Sequence, residues 1–86
     1  MTDLAEHHRA MAFLADALFC SDLQIGSTPS EREMSTAIRT ALKAHRNWDG
    51  CTRTVRAAFG KDIASATRRE TWCRQLAVRA LNLRDV

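Results

Sequence analysis

Thr28-Pro29-Ser30-Glu31-Arg32-Glu33-Met34-Ser35-Thr36, continuing Ala37-Ile38-Arg39-Thr40-Ala41-Leu42-Lys43-Ala44-His45, is the stretch that decides the fold. Thr28 can cap a helix, Pro29 suits its first position because no N–H is missed there, and Glu31 can reach back to close a capping box. Met34, Ile38, Ala41, Leu42 and His45 then return every three or four positions, the period of a helix with one buried stripe. Asn47-Trp48-Asp49-Gly50 should end the run, with Trp48 folding back onto the core.

Upstream, Leu4, His8, Met11, Ala12, Ala15, Leu18 and Phe19 show the same period and predict a helix from about Asp3 to Cys20, with Asp3 as cap and Glu6 completing its box. Residues 21–29 form the longest loop, anchored by Leu23 and Ile25. Downstream, a short helix is expected from Cys51 to Phe59, capped by Asp49 and closed by Gly60 in a left-handed conformation. A last helix begins after Asp62, or after Thr67 with Glu70 in a second capping box, and runs to about Leu83. Its apolar arc gathers Ala66, Cys73, Leu76, Ala77, Ala80 and Leu81. Arg69 and Glu70 fall inside that arc, so the earlier start requires both to be paired and partly buried.

Eighty-six residues make one domain, 1–86, because two halves of this length would each lack a workable core. Three glycines and one proline leave few places to turn, which favours long helices over many short strands. The expected architecture is all-α, a compact four-helix orthogonal bundle with a helix-turn-helix-like pair in its C-terminal half. Much of the 45% hydrophobic content is alanine, so the core must draw on a few large side chains, among them Phe13, Leu18, Met34, Ile63 and Trp72.

Thirteen basic against ten acidic residues give a formal charge of +3, which permits a polyanionic partner. The distribution is uneven. Residues 1–46 carry five basic and six acidic side chains, and residues 47–86 carry eight and four, so an anion-binding face is expected in the C-terminal half.

That half contains the outline of a helix-turn-helix from Cys51 to Gln75: a bracing helix, Gly60 at the turn, and a second helix opening on small and basic residues. Ser65, Thr67, Arg68 and Arg69 would face base edges, and Arg53, Arg56, Lys61 and Arg74 would reach phosphates, which fix register without reading sequence. Arg56 and Lys61 stand where such motifs often carry a small and an apolar residue, so an altered turn is expected. The competing reading is a protein-interaction module, an adaptor or regulatory subunit. The broad apolar face of the first helix and its following loop, through Met11, Leu14, Leu18, Leu23 and Ile25, would then bind a protein partner or a second copy in a homodimer.

Catalytic patterns are weak throughout. His7 and His8 are adjacent on a helix and point about 100° apart, which suits no shared metal ion; His8 is expected beside the core and His7 outside it. Cys51 could have a lowered thiol pKa near a helix N-terminus, but no histidine and carboxylate accompany it. Cys20, Cys51 and Cys73 lack the tight pair spacing of zinc sites and read as buried thiols of a reducing cytosol. Glu31 and Glu33 complement a helix dipole, and the glycines at 26, 50 and 60 form no phosphate loop. The expectation is a non-enzymatic regulatory or accessory protein without a cofactor or metal. No apolar run is long enough to span a bilayer and no basic-then-apolar leader opens the chain, so the cytoplasm is the expected location.

Phe13-Leu14-Ala15-Asp16-Ala17-Leu18-Phe19, Ser21-Asp22-Leu23-Gln24, Thr28-Pro29, Gly50-Cys51, Phe59-Gly60 and a late arginine-rich helix with Trp72 resemble small helical proteins of actinobacteria. The likeness covers most of the chain. It implies a host class and a helical fold, and no activity.

Overall fold

The computed structural model describes the backbone of residues 4–84 and the side chains of residues 8–81. Four helices follow in order, α1 Leu4–Phe19, α2 Glu31–Ala44, α3 Asn47–Lys61 and α4 Ile63–Arg84, and they pack as an all-α bundle with a radius of gyration of 12.4 Å. The expected cap at Asp3 lies outside the described residues, as do the side chains of Glu6 and His7. Helix α1 touches each of the other three and rests most extensively on α4. No described helix is long and apolar enough to cross a membrane.

Helix α2 starts two residues later than its sequence suggested. Ser30, not Thr28, is the cap: its Oγ accepts from the Glu33 N–H at 3.1 Å, and the Ser30 N–H donates to Glu33 Oε1 at 3.0 Å. The box therefore keeps its serine-to-glutamate spacing in a shifted register. Pro29 stays outside the helix, is buried, and offers its carbonyl to Arg79 Nη2 at 3.1 Å, which ties the loop to α4.

The segment expected to stop α2 instead starts α3. The chain reverses through Arg46 and Asn47, at φ 58° and 80°, and Asn47-Trp48-Asp49-Gly50 becomes the first turn of α3. Gly50 serves close approach: a Cβ there would stand 1.4 Å from the His45 carbonyl oxygen at the end of α2. His45 Nδ1 bonds Thr54 Oγ1 at 3.1 Å, and Thr54 Oγ1 donates to the Gly50 carbonyl at 3.0 Å, so the same corner is locked by side chains.

Gly60 is helical, without positive φ, and the stop falls at Asp62. Asp62 has two roles. Its N–H donates to Ala58 O at the end of α3, and its Oδ1 accepts from the Ser65 N–H at 3.1 Å in the first turn of α4. Of the two starts considered for the last helix, the one after Asp62 is observed. Helices α3 and α4 are thus joined by one extended residue, where a helix-turn-helix uses three or four.

The core is built mostly from small side chains: Ala15, Ala17, Ala37, Ala41, Ala66 and Ala77 are buried, with Cys51 and Cys73. Leu18 and Met34 are the large residues that are fully buried. Ala17, Ala41 and Cys51 form a separate cluster where α1, α2 and α3 meet, a corner that only small residues can fill. Two residues expected in the core are not there. Ile63, opening α4, is 70% exposed, and Phe13 is 39% exposed, tilted against the Trp48 ring at 5.7 Å. His8 and Ala12 are exposed as well, because the buried face of α1 runs through Ala15, Ala17, Leu18 and Phe19.

Candidate nucleic-acid interface

Seven of the eight residues expected to meet nucleic acid are on the surface: Arg53, Arg56, Lys61, Ser65, Thr67, Arg68 and Arg74. The eighth, Arg69, is half-buried and turns its guanidinium inward onto backbone carbonyls. Its guanidinium donates from Nε to Phe19 O at 2.8 Å, from Nη1 to Leu23 O at 3.0 Å, and from Nη2 to Ser21 O at 2.8 Å and Leu18 O at 3.4 Å. The group also sits over the Phe19 ring, 5.5 Å from its centroid. Those carbonyls belong to the end of α1 and the following loop, where helix geometry leaves C=O groups without backbone partners and the dipole favours a cation. Arg69 completes the cap at the end of α1 that Ser21 begins, the Ser21 N–H and Oγ both donating to the Leu18 carbonyl.

The seven remaining side chains do not form one patch. At about 100° per residue, Ser65 and Arg68 lie about 60° apart on one flank of α4, while Thr67 and Arg74 lie about 20° apart on the other. Lys61, Asp62, Ser65 and the half-buried Arg69 line a shallow groove at the α3–α4 joint with Phe19, Ala58 and Ala66. On the opposite flank, Arg74 Nε is 3.3 Å from Glu70 Oε1, the one ion pair among the described residues, and Arg56 and Arg74 both draw Asp16 toward its charged form. Arg53, Lys61 and Arg68 are left as exposed cations with no ion-pair partner among the described residues.

The Asp16–Glu70 region is the other concentration of charge. Asp16 Oδ2 accepts from Thr52 Oγ1 at 3.0 Å, and Glu70 Oε2 is buried without a hydrogen-bond partner. Burial pushes both carboxyls above the usual range, and the Asp16 charge raises Glu70 further. Both polar residues of the apolar arc of α4 are thus partly buried and paired, as the early start of that helix requires.

The thiols are held in the interior. Burial raises Cys20 and Cys73 to about 12. Cys51 is also raised by burial, which reverses the lowered value that its place near a helix start suggested. Cys20 Sγ faces the Cys51 carbonyl at 3.5 Å. Among the described residues no three His, Cys, Asp or Glu side chains gather where they could hold a metal ion.

The expected partner-binding face is largely taken up by the protein's own core. Leu18 is fully buried inside the protein's own core and cannot serve a partner; Met11, Leu14 and Leu23 are half-buried against that core, and only Ile25, at 52%, stands in solvent. An all-α four-helix bundle is the class that the fold defines. The chain matches no protein-family model, no curated protein and no solved structure.

Proposed function

We propose that this is a non-enzymatic, cytoplasmic regulatory or accessory protein that binds nucleic acid, DNA in the first instance, through the outer face of α3 and the start of α4. The observation that carries the reading is the exposure of Arg53, Lys61 and Arg68, with no ion-pair partner among the described residues, and of Ser65 on the same flank of α4 as Arg68. Such groups suit phosphate oxygens, which take most protein–DNA hydrogen bonds. The one-residue joint at Asp62 and the inward turn of Arg69 leave little for base reading, so affinity should be largely independent of sequence.

The test is fluorescence anisotropy of a short random-sequence duplex across a salt series. Log affinity should fall with log salt at about −0.9 per phosphate engaged, and R53E/K61E/R68E should abolish binding with the helical signal unchanged. Undiminished binding by that triple variant removes the proposed surface.

A further inference from the structure

We propose that the outer face of α2 is a second DNA-contacting surface, formed by Arg32, Arg39 and Lys43 with Thr36 and Thr40 between them; this rests on the nucleic-acid reading above and extends it to a different helix. All five residues are exposed. Helix α2 buries Met34, Ala37 and Ala41, and at about 100° per residue the three cations fall within about 40° of one another on the side directly opposite. Thr36 and Thr40, between them in sequence, lie along one side of the strip and line the same shallow grooves. Arg46 is exposed just beyond the helix end.

The charge balance of the first half of the chain conceals this strip. Four of its five basic residues are on α2 or directly after it, whereas its acidic residues, Asp3 aside, are dispersed over α1, the loop and the first turn of α2. Ordinary solvated helix faces alternate sign and gain from pairs three or four residues apart. Here Arg39 and Lys43 are a like-charge pair at that spacing, and none of the three cations has an ion-pair partner among the described residues. Glu33 is held in the capping box with Ser30, and Asp22 borders the groove only at its N-terminal end. No ion pair among the described residues relieves the repulsion between Arg39 and Lys43, and an anion lying along the helix would relieve it.

Geometry favours a polyphosphate over a single anion. Arg32 and Lys43 are separated by about 16 Å along the axis at about 1.5 Å per residue. A duplex presents one charge per roughly 1.7 Å of its axis, so a straight strip of that length meets several phosphates in any register. Arginine forks and threonine hydroxyls are donors suited to phosphate oxygens.

The experiment compares wild type, R32Q/R39Q/K43Q and R53Q/K61Q/R68Q in the same salt-series anisotropy assay with a random duplex, with polyglutamate as a competitor. The α2 variant is expected to bind at least tenfold more weakly, with a salt slope shallower by two to three units at about 0.9 per phosphate lost. Loss in both variants supports both surfaces. Loss in the α2 variant alone supports the strip and overturns the α3–α4 site. An unchanged slope in the α2 variant overturns the strip while leaving the α3–α4 site standing, and absence of wild-type binding at low salt overturns both. Competition by polyglutamate equal to that by unlabelled duplex overturns the assignment to DNA in favour of an acidic protein partner. Neutral glutamines at exposed helix positions preserve the fold, which circular dichroism checks.

Discussion

Gly50 and Gly60 are both helical in the structure, yet substitution of each by alanine should move stability in opposite directions. At Gly60 an added Cβ meets nothing within 4 Å and the backbone has no positive φ. Alanine there gains helix propensity and restricts the unfolded chain, together about 0.5–1 kcal/mol. For a domain of this size that raises Tm by about 2–8 °C. At Gly50 the Cβ would lie 1.4 Å from the His45 carbonyl oxygen, which is backbone and cannot swing aside. The start of α3 would have to retreat from α2, opening the Ala17–Ala41–Cys51 corner and the His45–Thr54 bond. Overpacking costs of about 1–3 kcal/mol are the lower reference for such a clash. A loss of at least about 2 kcal/mol is expected, lowering Tm by about 8 °C or more. Thermal denaturation followed by circular dichroism measures both. A drop in Tm for G60A would refute the reasoning, because it would place Gly60 in the left-handed terminating role that its position in the sequence suggests. A neutral G50A would show that α2 and α3 do not approach so closely.

Arg69→Lys should cost about 1–3 kcal/mol in urea unfolding, since an ammonium cannot span four carbonyls as a guanidinium fork does, and Arg69→Met somewhat more; equal stability would return Arg69 to the surface. Asp16 and Glu70 have raised pKa values when folded, so the stability linked to them is fully present below their unfolded values near pH 4 and is lost as pH rises through the folded ones. D16N and E70Q should therefore flatten the fall in stability between about pH 4 and neutrality, whereas Glu33, lowered by Ser30, contributes the opposite slope in acid. Unchanged pH profiles in both variants would show that these carboxyls are solvated. With Cys20 and Cys73 raised to about 12 and Cys51 buried, native protein should react with a thiol reagent far more slowly than urea-unfolded protein at neutral pH; rapid labelling of one thiol in the native state would contradict this packing.

The helical class and the number of helices were legible because hydrophobic period and the scarcity of turn residues report directly on burial. Helix ends were less so. Ser30–Glu33 competes locally with Thr28–Glu31, and the choice is made by the loop, where burying Pro29 and bonding its carbonyl to Arg79 holds the chain extended until Ser30. The glycines misled for a related reason. A glycine needed for positive φ and one needed for a close helix crossing look alike in sequence, and here Gly50 is the second kind while the left-handed turn is made by Arg46 and Asn47.

Arg69 shows where reading a site from charge reaches its limit. Its place in the apolar arc of α4 was visible, and so was the demand for a partner, but its partners are backbone carbonyls about fifty residues upstream, and carbonyls leave no mark in a sequence. The same blindness works in reverse on α2. Arg32, Arg39 and Lys43 stand in a half of the chain whose summed charge is slightly negative, and they emerge as a strip only when each residue is placed around its own helix. Net charge decides whether a polyanion can approach at all. Which arginines meet it is decided by what the protein has already claimed, and that criterion occupies Arg69, binds Arg74 to Glu70, and leaves exposed Arg53, Lys61 and Arg68 on α3 and α4 and the strip on α2.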